Sequence, residues 1–284
     1  MNNADQPQGN AFQGKVVWIT GASGGIGAAL ARHLAARGAR LVLSARRAEA
    51  LETVKADCVG AGVSAESVLV LPLDVAATNT MPAAVEAVLA HFGHIDLLVN
   101  NAGISQRSLC LETELDVYRQ LFEVDVIGQI ALTKQVLPHM VARGSGHVAV
   151  TASVAGKVGV PLRTGYCAAK HAVMGFFDAL RSEVAHLGVR VTTIVPGFIR
   201  TDIARNALTG TGAPMGAADE DIEGGMDVDE CAAAILGGLA LGTEEIDVGK
   251  GAEMDLLSLK RSDPVGTFRL MEAMAAEVFA RRQS

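Results

Sequence analysis

Tyr166 and Lys170 stand four residues apart within residues 165–184, where residue types and apolar spacing predict a helix. A spacing of four places both side chains on one face of that helix. A free phenol titrates at about pH 10, too high for base chemistry near neutrality. Because a neighbouring ammonium stabilises the phenolate, this pair could give a proton to an alcoholate or take one from an alcohol.

Ser153 precedes Tyr166 by 13 residues and follows a run of strand-forming residues. Its hydroxyl could hold a substrate oxygen by a hydrogen bond. Taken singly, Ser153 fits a helix cap or turn, and Tyr166 fits a helix-surface aromatic. The joint pattern with Lys170 favours catalysis. Cys167 adjoins Tyr166, but neighbouring helical residues face different directions, so we interpret it as a packing residue.

A glycine-rich turn, TGASGGIG, joins the first apolar run to the first helical pattern. Glycine permits positive φ and lets the backbone approach a pyrophosphate, and a helix N-terminus attracts phosphate. A plain turn is the alternative, but the preceding strand and following helix are the context that a dinucleotide site requires. We therefore predict cofactor contacts from this turn: Gly21, Ser23, Gly24, Gly25, Ile26 and Gly27.

The second apolar run ends in Ser44-Ala45-Arg46-Arg47. Enzymes that use NAD usually carry an acid here to hold the ribose 2′-hydroxyl, whereas enzymes that use NADP carry arginine. Ala45 occupies the acid position, and the Arg46 guanidinium suits a 2′-phosphate. A solvated charge at a helix start is the alternative. The missing acid favours NADP(H) over NAD(H).

Two further strand ends complete the predicted cofactor site. After the third run, the Asp74 carboxylate could accept from an adenine amino group, although a helix N-cap is the alternative. After the fourth, small residues leave room for a cofactor, and an Asn amide could tie neighbouring strands; a structural turn is the competing account. The predicted contacts here are Asp74, Val75, Asn101, Ala102 and Gly103.

The elements that must position these residues are short apolar runs alternating with helical patterns. Runs without polar alternation indicate strands buried on both faces, and right-handed crossovers then build a parallel sheet. We predict an α/β fold: a three-layer, doubly wound, Rossmann-type parallel sheet of about seven strands with helices on both faces. Ligands bind beyond the carboxyl ends of such strands, where the motifs lie. The expected strands are 16–20, 40–45, 68–73, 95–100, 147–152, 189–195 and a weaker 244–248.

The chain divides into a flexible leader at 1–13, one catalytic domain at 14–250 and a C-terminal extension at 251–284. The extension contains a predicted amphipathic helix with an apolar face of Phe268, Met271, Ala275 and Val278. Acids on its polar face disfavour anionic lipid, so we expect it to pack on protein rather than on a membrane.

The substrate pocket should be walled by three segments, 104–111, 154–164 and 198–226. Within the third, residues 209–226 are rich in glycine, alanine and acid. This segment fits a mobile lid over an apolar substrate, with a disordered surface loop as the alternative.

Composition excludes several classes of protein. A net charge of −7 argues against nucleic-acid binding. The sequence contains no run of 18 or more apolar residues, so we predict no membrane-spanning helix. The four cysteines are widely spread, and no apolar leader indicates secretion, so we expect reduced thiols in a cytoplasmic protein. The seven histidines lack ligand spacing, so we predict no metal.

Together TGASGGIG, NNAG, Ser153, YCAAK and PGFIRT resemble the short-chain dehydrogenase/reductase family, single-domain branch, over roughly residues 14–250. The stretches LTKQVLPHM, YCAAKHAVMGFFDALRSE and NALTG further resemble its animal dehydrogenase/reductase member 7 and 7B group. The resemblance implies NADP(H)-dependent hydride transfer with a carbonyl or secondary alcohol, which is lipid-like, steroid-like or retinoid-like by analogy. It also implies a homodimer or homotetramer assembled through the long helices around strand five. The residues it assigns to catalysis are Ser153, Tyr166 and Lys170; it places Tyr166, Lys170, Pro196, Gly197, Ile199 and Thr201 against the cofactor.

One position departs from the family pattern. Family members commonly carry a fourth catalytic residue, an Asn that helps hold a water linking the Lys to solvent; Asp125 stands there. An ionised Asp125 close to Lys170 would stabilise the ammonium, and we expect a proton relay with altered pH dependence. The alternative function is a catalytically quiet NADP-binding protein that acts through partners, and Asp125 is the feature that favours it.

Overall fold

A computed structural model describes residues 10–283 and contains a seven-stranded parallel sheet in the order β3-β2-β1-β4-β5-β6-β7. The break in sequential order lies between β1 and β4, which is the switch point of a doubly wound fold. The predicted fold class is therefore confirmed. The strands are β1 Val16–Thr20, β2 Arg40–Ser44, β3 Val68–Val70, β4 Leu97–Asn100, β5 Gly146–Thr151, β6 Val189–Pro196 and β7 Glu245–Val248.

Ten α-helices connect or follow the strands in the described residues. They are α1 Gly25–Ala35, α2 Ala48–Gly60, α3 Met81–Phe92, α4 Leu115–Phe122, α5 Gly128–Arg143, α6 Thr164–Val184, α7 Glu220–Glu223, α8 Val228–Leu241, α9 Ala252–Ser262 and α10 Pro264–Gln283. A π-helical turn, Glu123–Ile127, joins α4 to α5.

Each face of the sheet packs against its own layer of helices. Alternate residues of a strand face opposite sides, so Val17 and Ile19 join the cluster under α1, α2 and α8. Val16 and Trp18 join the cluster under α3, α5 and α6. Burial on both faces explains why the strands carry continuous apolar runs.

The third strand ends earlier than the expected 68–73. Beyond Val70, the N–H groups of Leu71 and Leu73 still donate to the carbonyls of Leu43 and Ala45. Pro72 between them has no N–H to donate, so regular pairing stops.

The two chain ends differ from the simplest expectation. Of the predicted leader, 1–13, residues 1–9 lie outside the described residues, while Phe12 is buried in the core beneath α1. The predicted C-terminal helix is present as α10, but its packed side runs through Thr267 and Met271. Phe268 is 53% exposed, because its ring lies 3.7 Å from Lys260 Nζ instead of in the core.

Candidate active site

A large cleft opens at the carboxyl ends of the strands, where the topology requires a ligand site. It brings together residues from the ends of all seven strands. Among the predicted cofactor contacts, all except Gly27 line it. Ser153, Tyr166 and Lys170 line the same cleft, and Asp125 is buried behind it.

The glycine turn needs glycine for two different reasons. Gly21 and Gly25 have φ of +66° and +53°, which side chains disfavour. At Gly27 a Cβ atom would lie 2.4 Å from the Gly21 carbonyl oxygen, so α1 can pack against the turn only without a side chain. Among the described residues no side chain caps the start of α1, and its first N–H groups remain available.

Arg46 and Arg47 lie exposed at the cleft edge beyond β2. Within the described part of the chain neither forms an ion pair. Asp74, at the next strand end, accepts the Ala76 N–H with its Oδ1 at 3.0 Å. This bond lies within a turn, and Asp74 is not a helix N-cap, because the next helical turn, Thr78–Thr80, has Ala77 in that position. The exposed Asp74 carboxylate lines the cleft.

Asn101 ties three strand ends together, as its amide was expected to do. Its Nδ2 donates to the Thr20 carbonyl at 3.1 Å, and its Oδ1 accepts from the Thr151 hydroxyl at 3.2 Å. The Asn101 N–H in turn donates to Thr20 Oγ1. These bonds join β1, β4 and β5 and hold the floor of the cleft.

Tyr166 and Lys170 share the buried face of α6, with Lys170 Nζ 5.6 Å from the Tyr166 ring centroid. The ammonium also donates to the Thr151 carbonyl at 3.0 Å. Lys170 is 3% exposed and Tyr166 8%. A buried ammonium beside a phenol is an arrangement suited to proton transfer.

Asp125 sits in the π turn and faces Lys170 directly. Its Oδ1 accepts the Ile104 N–H at 2.8 Å, and its Oδ2 lies 3.2 Å from Lys170 Nζ. Burial raises the pKa of Asp125 above its ordinary value, against the opposing effect of Lys170. Burial opposes the charge on Lys170, but Asp125 and Tyr166 outweigh it and raise the Lys170 pKa.

Ser153 has the capping role that the sequence offered as the alternative to catalysis. Its Oγ accepts the Ala155 N–H at 3.1 Å and so caps a short 3-10 turn, Val154–Gly156. The same hydroxyl donates to the Pro196 carbonyl oxygen at 3.4 Å. Because a hydroxyl has one hydrogen, donation to a substrate oxygen would replace the bond to Pro196.

Glu253 was missed from sequence. It belongs to the first turn of α9, and its Oε1 accepts the Phe198 N–H at 2.9 Å, directly after Gly197. A Cβ at Gly197 would lie 2.4 Å from that oxygen, so the carboxylate fills the space that glycine leaves. An acid near a helix start is too common to have signalled this contact.

All three predicted wall segments line the cleft, and residues 209–226 include α7 and cover part of it. The sequence did not indicate that α9 and α10 also contribute to the cleft. Their apolar contributions are Leu256, Leu259, Leu270, Met271, Met274 and Val278.

A search of the described residues finds neither a set of three potential metal ligands nor a helix suited to crossing a membrane. Cys167 is buried, with its Sγ 3.4 Å from the Val160 nitrogen, in agreement with a packing role.

Comparison with known proteins agrees with this architecture. Residues 15–211 match the family model described as short chain dehydrogenase. The human dehydrogenase/reductase SDR family member 7 is 51% identical over 197 residues, which cover 69% of this chain and 58% of the human protein. This chain thus matches less than two thirds of the length of that relative.

Solved structures agree as well. A short-chain dehydrogenase/reductase from Burkholderia phymatum in complex with NAD has a TM-score of 0.79 at 27% identity, covering 89% of this chain and 95% of its own. An alcohol dehydrogenase from Thermococcus sibiricus complexed with 5-hydroxy-NADP has a TM-score of 0.71 at 29% identity, covering 84% and 97%. The chain belongs to the short-chain dehydrogenase/reductase family of oxidoreductases, whose fold binds a nicotinamide cofactor.

Proposed function

We propose that this protein is an NADP(H)-dependent oxidoreductase acting on a carbonyl or secondary alcohol with a largely apolar body. The observation that carries the proposal is the buried Tyr166–Lys170 pair in the same cleft as the glycine turn, with Asp125 behind Lys170. A family oxidoreductase needs both a nicotinamide site and a proton donor beside it, and one cleft supplies residues for both.

The glycine turn fits a dinucleotide. Gly21 and Gly27 leave no room for side chains, and the open N-terminus of α1 offers N–H groups to a pyrophosphate. When bound, the nicotinamide would supply or accept the hydride. Residues suited to hold its ring end line the cleft beyond β6: Pro196, Gly197, Ile199 and Thr201.

The proton side of the reaction rests on this chain's own groups. Tyr166 would donate its phenolic proton to the developing alcoholate, and Ser153 would hold the same oxygen by a hydrogen bond. Lys170 would stabilise the resulting phenolate by its charge. Asp125 would keep Lys170 charged and fixed in place, since it opposes the cost of burying the ammonium.

The preference for NADP(H) rests on Arg46. No acid stands at Ala45 to hold a ribose 2′-hydroxyl, and the exposed Arg46 guanidinium is suited to a 2′-phosphate. The two solved relatives described above carry different nicotinamide cofactors, so they do not decide the point.

Equilibrium titration of the purified protein with NADPH and NADH tests the cofactor choice. We expect NADPH to bind at least about tenfold more tightly, with the preference lost in Arg46→Ala, because a charged contact to phosphate is removed. Arg47→Ala, the adjacent exposed arginine, is the control and should keep most of the preference. Tighter binding of NADH to the unaltered protein would contradict this assignment.

The second candidate is a catalytically quiet NADP-binding protein, which the Asp at position 125 favours. The contact between Asp125 and Lys170 argues against it, because Asp125 raises the pKa of Lys170 and so supports the charged state that catalysis needs. Addition of apolar ketones and aldehydes to the NADPH-loaded protein, followed at about 340 nm, separates the candidates; tight NADPH binding without turnover would favour the quiet protein.

We also propose a homodimer or homotetramer assembled through the helices around β5, with the cytoplasm as its compartment. Exposed apolar side chains along α4 and the π turn support association: Leu115, Phe122 and Ile127. Sedimentation of Ile127→Glu against the unaltered protein tests the assembly, and an unchanged oligomeric state would contradict it.

A further inference from the structure

Three charged side chains converge on the substrate wall of the cleft. Arg107 Nη1 and Arg163 Nη2 both contact the same oxygen, Oδ2 of Asp219, the latter at 3.0 Å. Arg163 Nη1 also lies 3.4 Å from the Ser105 hydroxyl. The Asp219 side chain is only 4% exposed and that of Arg163 15%, so the contact is largely shielded from water.

The two arginines come from different walls. Arg107 follows β4, and Arg163 immediately precedes α6, three residues before Tyr166. Burial lowers the pKa of Arg163, and Tyr166 is close enough to oppose this effect. Arg107 and Arg163 both line the cleft that holds this candidate proton donor.

Asp219 belongs to the segment 209–226. Its other oxygen, Oδ1, accepts the Asp221 N–H at 3.1 Å and so caps α7. Guanidinium groups are well suited to binding a carboxylate, because their N–H donors form charge-assisted hydrogen bonds to its oxygens.

We propose that Arg107 and Arg163 form a subsite for the carboxylate of an oxo- or hydroxy-acid substrate, and that Asp219 occupies this subsite when no such substrate is bound. The inference rests on the proposed function and narrows its substrate class. The substrate would have an apolar body with one anionic end.

The surrounding charges agree with this exchange. The acids closest along the chain, Glu220 and Asp221, lie on the same segment as Asp219 and would move away with it. Arg205, which precedes this segment, pairs with Glu223, so Arg107 and Arg163 are the arginines of the cluster that line the cleft. The rest of the wall, including Ile104, Leu162 and Met271, suits an apolar body.

Calorimetric titration of the NADP⁺-loaded protein tests the subsite without requiring turnover. The probes are para-benzoylbenzoate and its methyl ester, which differ in the carboxylate charge. We expect the unaltered protein to bind the acid more tightly than the ester. Arg107→Gln should reduce the affinity for the acid about tenfold and the affinity for the ester by less than about twofold.

Asp219→Asn should have the opposite effect and increase the affinity for the acid, because the side chain that competes for the two arginines loses its charge. A misfolded variant could not produce this gain. Arg205→Gln removes a cleft arginine outside the cluster and should leave the ratio of the affinities for acid and ester unchanged. The subsite would be rejected if each substitution, Arg107→Gln and Asp219→Asn, changed the affinities for acid and ester equally. It would also be rejected if the acid did not bind to the unaltered protein.

The same probes separate the two proposals. Reduction of both ketones by NADPH with no preference for the acid would sustain the proposed function and reject the subsite. Charge-dependent binding without any reduction would sustain the subsite and reject the proposed function.

Discussion

Asp125 Oδ2 lies 3.2 Å from Lys170 Nζ, and both side chains are buried. Lys170 thereby faces the Asp125 carboxylate, the Thr151 carbonyl and the Tyr166 ring. The Asp125 carboxylate therefore balances the charge of the ammonium that would stabilise a Tyr166 phenolate. This relationship sets the expected pH dependence of the whole group.

Asp125→Asn should shift the pH dependence of alcohol oxidation toward higher pH, by about one unit. The substitution removes the negative charge that keeps the buried Lys170 protonated, so less positive charge stabilises the Tyr166 phenolate. The coupled group titrates as a unit, so the measurement is the apparent midpoint of the rate against pH.

Glu123→Gln is the matched control, because Glu123 lies in the same π turn but is exposed. It should leave the profile in place. An unchanged profile in Asp125→Asn would remove Asp125 from the relay, and a shift to lower pH would mean that Lys170 keeps its charge without this partner.

Glu253→Ala should weaken binding of the nicotinamide cofactor by roughly tenfold, because the partly buried Phe198 N–H beside Gly197 loses its acceptor. The turn after β6 would then be less well fixed. Fluorescence titration with NADPH measures the change.

Glu253→Gln retains an acceptor oxygen and should largely restore binding. A purely electrostatic role would instead make Gln behave like Ala. Equal affinity in all three proteins would show that the contact does not position the cofactor.

The parts predicted from sequence share a physical property: their signal is local. The strand–turn–helix of Gly21 to Gly27, the four-residue spacing of Tyr166 and Lys170, and the missing acid at Ala45 are all legible within a few residues. The sheet follows in the same way, since its strands are continuous buried runs.

The parts that were missed depend on contacts between distant segments. Glu253 meets Phe198 across 55 residues, and Arg163 meets Asp219 across 56. The predicted apolar face of α10 was wrong at Phe268 because Lys260, from the preceding helix, holds its ring at the surface. Such pairings follow from how the helices pack, which single-sequence periodicity does not specify.

His147 provides a prediction about stability. Burial, with a smaller effect of Arg190, lowers the pKa of His147 to about 3. In the unfolded chain the His147 imidazole binds a proton below about pH 6.5, whereas in the folded state it stays neutral down to about pH 3. This group therefore removes stability as pH falls from about 6.5 toward 3, by up to about 1.4 kcal/mol per pH unit.

Urea unfolding at several pH values should show a shallower acid loss of stability in His147→Asn, even if the variant is less stable throughout. His139→Asn changes an exposed histidine and should keep the original slope. The same slope in His147→Asn and the unaltered protein would contradict the prediction.

The most direct test of the central claim is the rate of NADPH consumption on a carbonyl substrate in Tyr166→Phe, measured by stopped flow at saturating cofactor. Tyr118→Phe removes the chain's other phenolic hydroxyl, which bonds to Thr164 at 2.9 Å, and serves as the control. We predict a rate reduced by about a hundredfold or more in Tyr166→Phe, with NADPH affinity and the Tyr118→Phe rate nearly unchanged. A Tyr166→Phe rate within a few-fold of the unaltered protein would contradict proton transfer by Tyr166.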